Sequence, residues 1–181
     1  MRLARRISLG VAGVVLVALL VGFGYVVTLV ITALSLGSSW SHVLQIRGKA
    51  PWSGSFWRAA MESLYRDYAI IGGPVDIAAI LVTWWLAWML RRSGDFRWAL
   101  TAAVLLTVAF VVVWVGFVAP INSVFATWTP DTVPADWTRW RDRWELCHAV
   151  IAALKLVAFA ALAIGATEGQ AGGRAGGQVG G

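Results

Sequence analysis

The chain has 181 residues, 59% hydrophobic and only 13% charged, and 15 Lys and Arg against 9 Asp and Glu give a formal net charge of +6. A soluble domain carries about 25% charged residues, so this composition, with a mean hydropathy of +0.73, excludes a disordered chain, a disulfide scaffold and an ordinary soluble domain. The basic residues sit at the ends of apolar runs, where membrane proteins keep them, so the expected partner is a lipid bilayer and not nucleic acid.

The first element is an uncharged stretch between Arg6 and Arg47. Its apolar part, Ile7 to Leu36, is longer than the roughly 20 residues that cross a bilayer and far longer than a signal-peptide core of about 7–15. It predicts a retained span over 8–36, tilted or continued as helix beyond the membrane. An outer loop follows. In it, Trp57, Ala60, Met61, Leu64, Tyr65 and Tyr68 recur at three- and four-residue steps, which predicts an amphipathic helix over 55–68. The second span, 68–90, is apolar except for Asp76, with Gly72, Gly73 and Pro74 weakening the helix just before it. The third, 98–119, carries no charge.

A second outer loop contains Pro130, Asp131, Thr132 and Pro134, a turn and helix-start signal. After it, Trp137, Trp140 and Trp144 repeat at helical spacing. The fourth span, 146–166, is apolar except for His148 and Lys155. The expected fold is all-α, an integral membrane four-helix bundle with amphipathic helices in the two outer loops, as one domain over 1–166. The Gly-rich segment 167–181 is expected to be a disordered tail. Cys147 is the only cysteine, so no intrachain disulfide exists; it reads as a small buried hydrophobe. The dense clusters Arg2, Arg5, Arg6 and Arg91, Arg92, Arg97 belong on one side. By the positive-inside rule both termini are then cytoplasmic, with the chain in the plasma membrane.

Twelve tryptophans are present. Trp40, Trp52, Trp57, Trp114, Trp128, Trp137, Trp140 and Trp144 are expected near the outer boundary, and Trp84, Trp85, Trp88 and Trp98 near the inner one. An interfacial belt is their expected role, with an aromatic ligand pocket as the alternative. A charge at membrane depth costs about 2.5–3.5 kcal/mol on insertion scales, so Asp76 and Lys155 each need a reason. Both lie eight to ten residues in from the outer ends of their spans, at opposite sign and matching depth. That predicts an intramembrane ion pair, serving either packing or function. His42, Glu145 and His148 gather on the outer side, and Glu145 and His148 share a helix face. They read as boundary residues satisfied by tryptophan N–H groups, Arg141 or water, as an acid–base group, or as ligands of a single metal ion. Arg141 and Glu145 are also spaced as an i,i+4 pair. Acids are too few at this level for a di-metal site, and no metal or other cofactor is expected.

Two segments carry a resemblance. One is Ser41-His42-Val43-Leu44-Gln45, Gly48-Lys49 and Glu62-Ser63-Leu64-Tyr65. The other is Pro120-Ile121-Asn122, Asp136-Trp137, Arg141, Trp144-Glu145 and His148, running on to Ala158-Phe159. Together they resemble the uncharacterised four-helix bacterial membrane proteins grouped with anthrone oxygenases, over roughly 38–160. The resemblance implies oxidation of an anthrone to an anthraquinone by molecular oxygen, with no obligatory cofactor. It implies His148 or His42 as base, assisted by Glu145, and Asn122, Tyr65, Arg141 or Trp144 around the substrate. The chain departs from the pattern at Gln45, where an acid often stands, and at Val150 and Ile151, where an arginine often stands; Lys155 is the nearest replacement cation. Besides a protein that binds or oxidises a hydrophobic aromatic molecule, two alternatives remain: a non-catalytic membrane accessory protein, and a small proton-coupled transporter component using Asp76. The oligomeric state is not legible.

Overall fold

The structure is a computed structural model describing the backbone of residues 2–178 and the side chains of residues 13, 15–68 and 70–169. Among these residues it is helical throughout, with no strand. Four helical stretches, Val15–Lys49, Ile70–Leu90, Phe96–Phe125 and Trp137–Gly169, are long and apolar enough to cross a membrane. The chain is a multi-pass membrane bundle. Its outward faces are apolar, with Leu19, Phe23, Leu34, Leu81, Trp88 and Phe117 all exposed.

Helix α1 (Arg2–Lys49) runs unbroken well past the 8–36 expected for the span. Nothing in the sequence before Pro51 stops it. α2 (Gly54–Leu64) is the expected amphipathic helix, capped by Ser53, whose side chain accepts from Phe56 N. The second span begins as a π-helical turn over Tyr68–Gly72 and continues as α3 (Gly73–Leu90). The third is α4 (Phe96–Thr107), a π-helical stretch Val108–Val118, and α5 (Ala119–Phe125). Each π-helical stretch runs up to a proline, Pro74 or Pro120. Proline lacks an N–H and its ring crowds the carbonyl four residues back, so the preceding turn widens. α6 (Trp137–Gln178) is the fourth.

One expectation needs correction here. The tryptophan-bearing segment of the second loop is not a separate amphipathic helix but the first turns of α6, because Pro134 is followed by no further break. The backbone of α6 is described as helix to Gln178. Glu168 accepts from Arg97 Nη2 at 3.0 Å and Trp98 Nε1 at 2.9 Å, which fastens the turn beyond the span to α4. Residues 179–181, and the side chains of Arg2, Arg5, Arg6 and Arg174, lie outside the described residues.

The helices alternate in direction, and each of α1, α3, α4 and α6 packs on the next around a ring that α6 closes against α1. The two ends of the bundle are filled differently; the end at α2 and the 126–136 loop is called outer and the end at the 91–95 loop inner, as labels within the bundle only. The inner core holds Ala79, Ala87, Ala99, Ala102, Ala158 and Ala161 with a few leucines and Tyr25. Small side chains let helix backbones approach closely. The outer core holds Trp57, Phe125, Trp128, Trp144, Ile121 and Ile151, whose bulk holds the helices apart and leaves a cavity.

Candidate functional site

An open cavity of about 610 Å³ lies at the end of the bundle that carries α2 and the 126–136 loop. Its walls include Tyr65, Tyr68, Phe110, Trp114, Phe125 and Trp144, and its polar groups include His42, Asp76, Asn122 and His148. Both π-helical stretches contribute to it, through Gly72 at the end of one and through Phe110 and Trp114 in the other. That volume falls within the roughly 300–1,000 Å³ of small-molecule sites, which are also mostly apolar with a few polar groups.

Two imidazoles meet in the cavity wall. His42 comes from α1 and His148 from α6, and their ring centroids lie 4.3 Å apart. Trp144, one turn before His148, lies 4.0 Å from it and 5.1 Å from His42. Tyr65, just past the end of α2, stacks on His42 at 5.1 Å. His148 Nδ1 lies 2.9 Å from the Trp144 carbonyl oxygen. A carbonyl only accepts, so Nδ1 carries the proton and Nε2 of a neutral ring holds the free lone pair. Trp144 Nε1, which can only donate, reaches Asn122 Oδ1 at 2.9 Å. This bond fixes the amide orientation and leaves the Asn122 NH₂ free to donate.

Behind the imidazoles a buried polar group ties three helices. Lys49 Nζ lies 2.6 Å from Glu145 Oε1, with both side chains less than a tenth exposed. Lys49 also donates to the Tyr65 hydroxyl at 3.2 Å, and that hydroxyl donates to Gln45 Oε1. Burial pushes the Tyr65 phenol above its ordinary pKa, and the Glu145 charge adds to the shift, so Tyr65 stays a protonated donor. Below the imidazoles, Lys155 Nζ lies 2.7 Å from Asp76 Oδ1. Ser39 Oγ accepts from Lys155 at 2.8 Å, and Ser35 Oγ donates to Asp76 at 2.7 Å.

Of the residues singled out in the sequence, His42, His148, Trp144, Tyr65, Asn122 and Asp76 line one cavity. Arg141 and Glu145 do not. Arg141 turns to Asp142 at 2.9 Å and the Ala50 carbonyl, and the expected Arg141–Glu145 pair is replaced by Lys49–Glu145. The physical reason is the unbroken α1, which carries Lys49 deep enough to meet Glu145 away from water. Among the described residues, no three His, Cys, Asp or Glu side chains converge to hold a metal ion, Glu145 being turned to Lys49. Three tryptophans expected at the boundary are core residues instead: Trp57, Trp128 and Trp144 are at most 8% exposed, whereas Trp40, Trp84, Trp85 and Trp88 face outward. Sequence reasoning missed Lys49, Ser35 and Ser39. The signal for them was a polar stripe on the first span, Thr28, Thr32, Ser35, Ser39, His42 and Lys49, at steps of 4, 3, 4, 3 and 7. Such a stripe marks the bundle-facing side of a span.

A small multi-pass four-helix membrane protein with an aromatic-walled cavity around paired imidazoles is the class these features define. The sequence pattern of the anthrone oxygenase family matches residues 61–161, more than half of the chain, and the chain belongs to that family. The matched segment contains Tyr65, Asp76, Asn122, Trp144, His148 and Lys155, while His42 and Lys49 lie before it. No curated protein and no solved structure matches.

Proposed function

We propose that the cavity binds a hydrophobic aromatic ketone of the anthrone type and oxidises it with molecular oxygen. The observation that carries this reading is His148 in the aromatic wall, its Nδ1 proton committed to the Trp144 carbonyl and its Nε2 left as a base. His148 removes a proton from the methylene conjugated with the ketone, and the enolate oxygen takes a hydrogen bond from the free Asn122 NH₂. The enolate carbon gives its electrons to oxygen, forming the new C–O bond, and the proton returns to the distal oxygen. The hydroperoxide then loses the second methylene hydrogen with its terminal OH as water. One anthrone and one O₂ give one anthraquinone and one water, so no external reductant is needed. The aromatic walls favour a flat fused-ring ligand. The protein sits in the plasma membrane with both termini cytoplasmic and the cavity in the exoplasmic half.

The test is oxygen uptake and quinone absorbance with anthrone and the purified protein in lipid nanodiscs, compared with empty nanodiscs. Wild type exceeds the spontaneous rate, and His148→Gln lowers the catalysed part by about 10²–10⁴-fold, the range of a general base. A wild-type rate equal to that of empty nanodiscs contradicts the proposal.

A further inference from the structure

Six polar side chains occupy one face of α1 at successive turns: Tyr25, Thr28, Thr32, Ser35, Ser39 and His42. All six are buried, with 0–7% of their surface exposed. Nearer the cavity, Ser35 and Ser39 engage Asp76 and Lys155, while His42 Nδ1 has no partner among the described residues. Farther from the cavity no hydroxyl of the face is satisfied. Tyr25 OH, Thr28 Oγ1 and Thr32 Oγ1 have no hydrogen-bond partner among the described residues. A helical threonine commonly donates to the carbonyl four residues back, as Thr83 does to Ala79 at 2.6 Å and Thr107 to Ala103 at 2.7 Å. Thr28 and Thr32 do not.

An unpaired buried hydroxyl forfeits the hydrogen bonds it makes in water, and three in succession on one seam call for partners that the described residues do not supply. Buried water supplies such partners where a site is polar and has room. At one end of the seam, Asp76 lines the cavity. At the other, the Tyr25 hydroxyl abuts Gly165 beside Trp98, whose Nε1 donates to the exposed Glu168. At a rise of about 1.5 Å per residue, 25–42 covers roughly 25 Å. That compares with about 30 Å for the hydrocarbon core of a bilayer.

We propose that a file of water molecules threads this seam from Tyr25 to the Asp76–Lys155 pair, making it a proton route across the bundle that joins the cavity at Asp76. Each hydroxyl or water accepts a proton on a free lone pair and releases another onward, so one proton enters at one end as one leaves at the other. The inference stands on the orphaned hydroxyls and does not depend on the oxidation reading.

The test uses the full chain in sealed vesicles with an entrapped pH dye and a potassium diffusion potential set by valinomycin. Wild type moves protons faster than protein-free vesicles do. Thr28→Val and Thr32→Val, which keep the side-chain shape and remove the hydroxyl, fall to the protein-free rate, and Thr32→Ser restores flux. A wild-type rate equal to that of protein-free vesicles, or valine variants as fast as wild type, overturns the proposal. Water-edited solid-state NMR of the wild type tests it even if a valine variant fails to insert. Magnetisation transfer from water to Thr28 and Thr32 is expected, and its absence overturns the proposal.

Discussion

In the proposed reaction, His148 and Asn122 divide the chemistry between them because Trp144 commits one atom of each. The Trp144 carbonyl takes the His148 Nδ1 proton, and the Trp144 indole N–H takes the Asn122 oxygen. What remains free is a base and a donor. Asn122→Ala therefore lowers kcat for anthrone oxidation by about 10²–10³-fold, the effect of removing one oxyanion donor, with a smaller change in KM, as steady-state kinetics would read. An unchanged kcat removes Asn122 from the mechanism. His42, His148 and Asn122 were legible in the sequence as polar residues near the outer ends of spans. The partner of Glu145 was not. Local spacing offered Arg141 four residues away, whereas the residue that pairs with it, Lys49, is distant in sequence and reaches it only because α1 continues past the span.

At the scale of elements, Asp76 and Lys155 join α3 to α6, with α1 supplying Ser35 and Ser39 around them. Removing one partner of a buried pair leaves an uncompensated charge. Lys155→Met alone should destabilise the bundle by about 3–5 kcal/mol, while Asp76→Leu with Lys155→Leu should be close to neutral or stabilising. Unfolding in mixed detergent micelles reads both, and a single variant as stable as wild type contradicts the pairing role. α2 is held against the start of α6 just as closely. A Cβ on Gly54 would lie 2.8 Å from Val133 Cγ1 and 3.0 Å from Trp137 Nε1. Gly54→Ala is therefore expected to destabilise by about 1–3 kcal/mol, as overpacking does, in the same unfolding measurement. The spans themselves were legible from apolar run length. Their ends were not, because α1 and α6 continue through polar sequence that hydropathy assigns to loops or a tail, and the backbone hydrogen bonds continue where no proline intervenes.

Across the whole molecule, four alternating spans place the loop at 91–95 and the loops at 50–53 and 126–136 at opposite ends. In a Cys147→Ala background, Ser93→Cys should react with an impermeant thiol reagent only from the cytoplasmic side and Asp131→Cys only from the outside. The reverse pattern inverts the proposed orientation. The alanine-rich inner core and the aromatic outer core together explain why the cavity opens at one end and not in the middle. The composition announced the aromatic excess but suggested a belt, since tryptophan frequency alone does not distinguish a ring facing lipid from one facing another helix. The central claim is that the aromatic cavity around His42 and His148 is where the ligand sits. The most direct measurement is photo-crosslinking with an anthraquinone-based probe in lipid nanodiscs, with the labelled residues mapped by mass spectrometry. The account predicts labels on Met61, Tyr65, Phe125, Trp144 and Ile151, competed by excess anthraquinone. Labels confined to the lipid-facing Phe23, Leu81 and Phe117 would contradict it.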